Sequence, residues 1–184
     1  MMKTVKSWLC AGLALVGLGG CAGVQVEQYR AETPVLELRK FFNGTIEGWG
    51  MFQDRSGKVI KRFHVVIDAK WVGNTGTLDE KFTWSDGEQG GNPPRRVWTL
   101  KDLGGGRFTG TAGDVVGEAL GEAAGNALRW RYVLALPVDG KIINVDFDDW
   151  MFLVDDKNML NRSVMSKYGF TLGEVTLSLQ RKTP

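Results

Sequence analysis

From Leu36 onward, apolar side chains recur at every second position, and turn-forming residues interrupt them at short intervals. Side chains alternate across a strand with period 2 and circle a helix with period 3.6. The spacing therefore commits the chain to strands with one dry and one wet face. In "KRFHVVIDAKW", Phe63, Val65, Ile67, Ala69 and Trp71 share one face, with Arg62, His64, Asp68 and Lys70 on the other. "LDEKFTW" groups Leu78, Phe82 and Trp84 against Asp79, Lys81 and Thr83. "LRWRYVLAL" sets Leu128, Trp130, Tyr132, Leu134 and Leu136 against Arg129 and Arg131. "EVTLSLQ" repeats the pattern with Val175, Leu177 and Leu179.

Ser56-Gly57, Ser85-Asp86-Gly87, Gly104-Gly105-Gly106, Asp139-Gly140 and Asp155-Asp156-Lys157-Asn158 supply residues that tolerate tight or left-handed turns. The predicted strands are 38–53, 58–71, 76–85, 95–101, 106–113, 114–121, 126–136, 141–154, 158–168 and 171–181, the fifth and sixth readable as one bent strand. So many hairpins predict an all-β fold. The expected form is an antiparallel meander of about eight to ten strands closed on itself, because closure removes exposed edges. "GDVVGEALGEAAGN" has glycine at 113, 117, 121 and 125, and Val116, Leu120, Ala123 and Ala127 also suit a helix. Three interior glycines would cost a helix about 1 kcal/mol each, whereas glycines in strands mark bends and close approach. A hairpin turning near Glu122 to Gly125 is the favoured reading, and a short helix the alternative.

The N-terminus has a different logic. Residues 1–8 carry Lys3 and Lys6 and no acid, and Leu9 to Leu18 is apolar and small. This is the layout of an export signal, too short to span a bilayer, which takes roughly 20 residues. Leu18-Gly19-Gly20-Cys21 resembles the bacterial lipobox, in which the signal is cut before a cysteine that is then acylated. The expectation is a removed signal at 1–20, a lipidated tether at 21–35 and a barrel domain at 36–184. Ala22 in place of aspartate directs the expectation to the periplasmic face of the bacterial outer membrane. Cys10 falls in the removed segment, so stability has to come from core burial and not from disulfides.

Removing residues 1–20 from the 184 leaves 164, the size of one domain. Of 23 Lys+Arg, Lys3 and Lys6 are lost, leaving 21 bases against 21 acids. No basic tract remains for a nucleic-acid backbone. No G-x-S-x-G, H-E-x-x-H or metal-binding cysteine pair occurs. His64, the only histidine, falls on a polar strand face, and "GGGRFTG" reads as a hairpin turn and not a phosphate loop.

Residues 143–169 place Asp146, Asp148 and Asp149 in an otherwise apolar strand. A hairpin turning at Asp156-Lys157 pairs residues whose numbers sum to about 313. Asp146 then faces Lys167, and Arg162 lies diagonal to Asp149 on the same face. A charge-paired hairpin, each pair contributing roughly 0.2–1 kcal/mol, is the plain reading. A head-group site of Arg162 and Lys167 for a ligand carboxylate or phosphate is the functional one. A one-residue slip would reverse every side chain. Trp49, Trp71, Trp84, Trp98, Trp130 and Trp150 either fill a core or wall an apolar pocket. The candidate ligand-binding residues are Arg162, Lys167, Asp149, Trp150, Trp130 and Trp98.

"FFNGTIEGWGMFQDRSGKVIKRF", "LDEKFTWSDG", "RRVWTL", "GDVVGEALGEAAGNALRWRYVLALPVDG", "DDWMFL" and "NRSVMSKYG" together resemble bacterial lipoproteins of the domain-of-unknown-function 3833 family, from about Phe41 to the C-terminus. The resemblance implies an envelope lipoprotein of Gram-negative bacteria and carries over no catalytic residue. Its members are often encoded near enzymes that modify membrane fatty acids. A weaker likeness, of architecture alone, is to lipocalins. Here Gly48-Trp49-Gly50 has glycine beside the tryptophan and not one residue apart from it.

The resulting expectation is a lipid-anchored envelope protein with a lipocalin-like barrel, holding an apolar or acyl-chain ligand such as a fatty acid or phospholipid. Its membrane partner would be reached through acyl chains on Cys21, and no cofactor is expected. The alternative is an envelope interaction protein with a filled barrel. No enzymatic activity is expected. A hydrolase using Asp148 and Asp149 is a minor reading, because neighbours in a strand point to opposite faces.

Overall fold

The computed structural model describes residues 23–87, 93–138 and 140–182, so the expected signal and Cys21 lie outside the described residues. Ten strands are described: β1 Gly44–Asp54, β2 Val59–Val72, β3 Thr75–Trp84, β4 Arg95–Gly104, β5 Arg107–Thr111, β6 Ala119–Ala124, β7 Ala127–Val138, β8 Lys141–Leu153, β9 Asn158–Lys167 and β10 Phe170–Arg181. Each pairs antiparallel with its sequence neighbour. β1 also pairs with β10, from Ile46 opposite Arg181 to Asp54 opposite Gly173, which closes the barrel. The expected all-β, closed antiparallel meander is the observed fold.

The alternation became an inside and an outside. Phe63, Val65, Ile67 and Ala69 of β2 are buried in the barrel, as are Leu128, Trp130 and Leu134 of β7. The glycine-rich stretch is a hairpin, as favoured above, with Ala124 paired to Ala127 across the turn. Its glycines have separate jobs. A Cβ on Gly121 would stand 2.3 Å from the Trp130 ring, which lies against the β6 backbone. Gly125, at φ +54°, has the Tyr29 carbonyl where a Cβ would go, at 1.7 Å.

Two strand boundaries differ from expectation. Residues 38–43 do not extend β1. Leu38–Phe41 is a helical turn, α1, which buries Leu38, Phe41 and Phe42 across one end of the barrel. Residues 112–118 are a loop and not the start of a strand. It crosses the other end of β7, where Val116 N–H donates to the Val133 carbonyl and Ala135 N–H to that of Asp114. β5 and β6 are thus separate strands.

The part of the expected tether that is described lies on the barrel. Val26–Tyr29 forms a 3-10 turn whose Val26 is buried with Ala124 and Ala127, while Tyr29 packs on Trp150 and Phe152. Leu36 N–H then donates to the Gly125 carbonyl at 2.8 Å. The Val26–Tyr29 turn thus lies on the outer wall beside the α1 end, and α1 itself, with Leu38 and Phe42, covers that end.

Gly121→Ala should lower the free energy of unfolding by about 1–3 kcal/mol through overpacking against Trp130. Gly113→Ala, whose Cβ meets nothing within 4 Å, should change it by less than about 0.5 kcal/mol. Urea unfolding of the two variants checks the contrast.

Candidate functional site

The barrel is hollow. A cavity of about 690 Å³ runs from Leu38 and Phe42 at the covered end to Ile60, Pro137, Val138 and Leu172 at the other. That volume is in the range of small-molecule sites, roughly 300–1,000 Å³. Most of its wall is aliphatic and aromatic. Trp98 stands edge-on to Trp130 at 5.8 Å and to Tyr132 at 5.4 Å, and Tyr132 stacks on Phe147 at 5.0 Å.

Into this wall β3, β4 and β8 place charged groups, and the 112–118 loop brings Asp114 to one of them, Arg96. Glu80 is opposite Arg96 in the β3–β4 ladder, and Arg96 Nη1 is 3.7 Å from Glu80 Oε2. Arg96 binds Asp114 through two nitrogens. Nε donates to both carboxylate oxygens at 3.0 Å and Nη2 to Oδ2 at 2.8 Å. On β8, Asp149 is 6% exposed, and its Oδ2 accepts from the Tyr132 hydroxyl at 3.3 Å. Glu80 Oε2 and Asp149 Oδ1 are both buried without a hydrogen-bond donor.

Burial sets the protonation of these groups. It pushes Glu80 up to about 7, against the pull of Arg96 and with the help of the Asp114 and Asp149 charges. Burial pushes Asp149 to about 7 as well, against hydrogen bonds from Ser163 and Tyr132. The Tyr132 hydroxyl is held well above the ordinary tyrosine range by burial and by the Asp149 charge. Burial works against the charge on Arg96, but Glu80 and Asp114 outweigh it, and the guanidinium stays protonated.

Of the six candidate residues, Trp98, Trp130 and Asp149 line the cavity, and Trp150, Arg162 and Lys167 do not. Trp150 follows inward Asp149 on β8, and alternation turns it outward; for Arg162 and Lys167 the β8–β9 register is the reason. Asp148 pairs with Val164 and Trp150 with Arg162, a sum of 312 and one residue from the expected 313. Asp155 sets that turn, with its carboxylate accepting from the backbone N–H groups of Lys157 and Asn158 at 2.8 Å. Arg162 therefore shares a face with Trp150 and not with Asp149. It forms a two-pronged pair with Glu174 at 2.5 and 3.0 Å on the outer wall. Asp146 faces Ser166 and not Lys167, whose Nζ donates to the Asn144 carbonyl at the end of β9.

Trp150 lies under Arg129 outside the barrel, stacked with Phe152. Asp148 is there too, held by Arg129 at 2.6 and 2.8 Å, so Asp148 and Asp149 do not converge. His64 is on the outer wall, 2.7 Å from Glu47.

Glu80, Arg96 and Asp114 were missed. The first two were readable, because Leu78-Glu80-Phe82 and Arg96-Trp98-Leu100 each put a charge in an inward column. Asp114 gave no signal, because its loop has no period.

The sequence matches the family described as "Protein of unknown function (DUF3833)" over residues 15–181, and the chain belongs to it. No curated protein matches it in sequence. The S-type phycobiliprotein lyase CPES from Guillardia theta is similar in structure, with a TM-score of 0.58 at 9% identity over 88% of this chain and 100% of that one. Rv2717c from M. tuberculosis superposes with a TM-score of 0.57 at 13% identity, over 83% of this chain and 99% of its own. The likeness is one of fold, a lipocalin-like barrel. It corrects the expectation that the chain is not an enzyme. A protein named a lyase is built on this barrel, so lack of a familiar catalytic signature does not set the chain apart from enzymes.

Glu80 and Asp149 also make stability depend on pH. Their folded values near 7 lie above the ordinary 4.5 and 3.8. Between about pH 4 and 7 the folded state binds more protons than the unfolded one, so stability falls as pH rises through that window and levels off above it. Glu80→Gln together with Asp149→Asn should flatten this slope and raise Tm at pH 8 by at least about 3 °C. Thermal melts at pH 5, 6, 7 and 8 check it.

Proposed function

We propose that this protein is a lipid-anchored envelope protein whose barrel takes up an apolar, acyl-chain-like ligand. The carrying observation is the cavity of about 690 Å³, covered at the α1 end and walled by Trp98, Trp130, Phe63 and their apolar neighbours. Burial of an alkyl chain there would contribute about 0.8 kcal/mol per methylene. The apolar side chains exposed at the far end fit passage of such a ligand. Ile142 is 67% exposed, Tyr168 85% and Phe170 75%.

Anchoring through Cys21 rests on the lipobox-like Leu18-Gly19-Gly20-Cys21, and the outer-membrane location rests on Ala22. Cys21 stands two residues before Gly23, a reach of at most about 7 Å. The described chain begins beside the covered end of the barrel, where Val26 packs on Ala124 and Ala127. An anchor at Cys21 would therefore hold the covered end toward its membrane and turn the mouth away from it.

Titration with dodecanol, read by tryptophan fluorescence, should saturate at one ligand per chain. Leu177→Trp, which puts an indole into the cavity from β10, should weaken binding by about tenfold or more. No response to any alkyl ligand would overturn the binding reading. Mass spectrometry of protein recovered from the envelope should show a chain beginning at an acylated Cys21, and Cys21→Ser should release it from the membrane fraction. An unmodified Cys21 would overturn the anchor.

A further inference from the structure

The cavity wall holds two buried acceptors that no donor reaches. Arg96 commits Nε and Nη2 to Asp114, and its nearest approach to Glu80 is 3.7 Å. The Tyr132 hydroxyl is given to Asp149, and the Ser163 hydroxyl to Asn161 Oδ1 at 3.4 Å. The Asn161 amide is given to the Trp150 carbonyl at 3.2 Å. Lys61, near the mouth, is paired with Asp86 at 2.7 Å. Against these stand Glu80 Oε2 and Asp149 Oδ1, both buried and both without a donor. Both residues line the same cavity, and Asp149 is 6% exposed.

Buried polar atoms in folded proteins are almost always satisfied, and exceptions mark strain, catalysis or a missing partner. The charges say the same. Asp114 holds Arg96 at hydrogen-bonding distance and Glu80 shares it at 3.7 Å, so with Asp149 three acidic groups stand against one guanidinium. A ligand carboxylate or phosphate would add a further negative charge to this group and would leave both orphaned oxygens without a donor. A group that brings both protons and positive charge meets what the site lacks.

We propose that Glu80 and Asp149 form a recognition site for the protonated amine head group of an amphiphile whose apolar chain fills the barrel. The proposal deepens the apolar-ligand reading and rests on it. An ammonium group has three donors and no acceptor, so it supplies donors to orphaned oxygens and adds no acceptor of its own. Charge-assisted hydrogen bonds are about twice as strong as neutral ones, and a low-dielectric wall strengthens them further. The alkyl chain would lie along Trp98, Trp130 and Phe63.

The test compares three probes of equal chain length, dodecylammonium, dodecanol and dodecanoate, each below its micelle-forming concentration. They are titrated into the intact protein at pH 8 by calorimetry and tryptophan fluorescence. Dodecylammonium should bind about tenfold or more tighter than dodecanol, and dodecanoate weakest. Glu80→Gln with Asp149→Asn should remove the preference for the amine while leaving dodecanol binding within about threefold, and a melting curve confirms that the variant is folded. Trp98→Phe, which keeps both carboxylates, should retain the order of preference.

Dodecanol or dodecanoate binding as tightly as the amine overturns the head-group proposal while the apolar-ligand reading stands. So does an unchanged preference in the folded double variant. Failure of all three probes to bind overturns both.

Discussion

Everything inside this molecule depends on the pairing of β1 with β10. Nine residue pairs, from Ile46–Arg181 to Asp54–Gly173, join the two ends of the sheet. Without them the same strands would present two open edges and an apolar face to water. With them, the inward column of each strand becomes the wall of one enclosed space. The seam is tight. A Cβ on Gly48 would come within 2.8 Å of Leu179 and 3.0 Å of Leu177 and Val65, and one on Gly50 within 2.2 Å of Phe63. Glycines on β1 let large residues of β2 and β10 close over it, and the hollow lies where the inward residues do not meet.

The two ends of the barrel are built differently, which gives the cavity a direction. At one end α1 lays Leu38, Phe41 and Phe42 across the strands, and the Leu36 contact to Gly125 ties the chain there. At the other, strands run on into turns whose apolar residues stay exposed, Tyr168 and Phe170 most of all. Tyr168, at φ 51°, and Gly169 make the tight left-handed turn that carries them.

Charge in the wall is the feature an apolar container does not require. Burying a carboxylate without a partner is costly, and the group answers by taking a proton. Glu80 and Asp149 do so, with values near 7, whereas exposed acids such as Asp79, held by Arg95, and Asp54, held by Ser56, are shifted downward. The barrel therefore keeps two groups that are half-ionised near neutral pH beside an Arg96 guanidinium that stays protonated. Folding alone would be served better by apolar residues at these positions, so their presence points to use.

Much of this was legible locally. Period-2 spacing foretold the ten strands (though not the starts of β1 and β6), the closed meander and the inward places of Trp98 and Trp130. It also held Glu80 and Arg96 in plain view, masked only by the habit of reading inward columns as apolar. It misread Leu38–Phe41, where burial of Leu38, Phe41 and Phe42 follows the spacing of a helical turn. It also misread Arg162, because one residue in the β8–β9 turn decides which face that side chain takes.

Alternation is a property of each strand by itself, so the amino-acid order alone determined that there would be a wet face and a dry one, and which residues belong to each. Pairing is a property of two strands at once. The register across the Asp155 turn, the meeting of β1 with β10 and the reach of Asp114 from an unpatterned loop to Arg96 depend on contacts distant in sequence. Only the assembled barrel decided which charges would share the cavity.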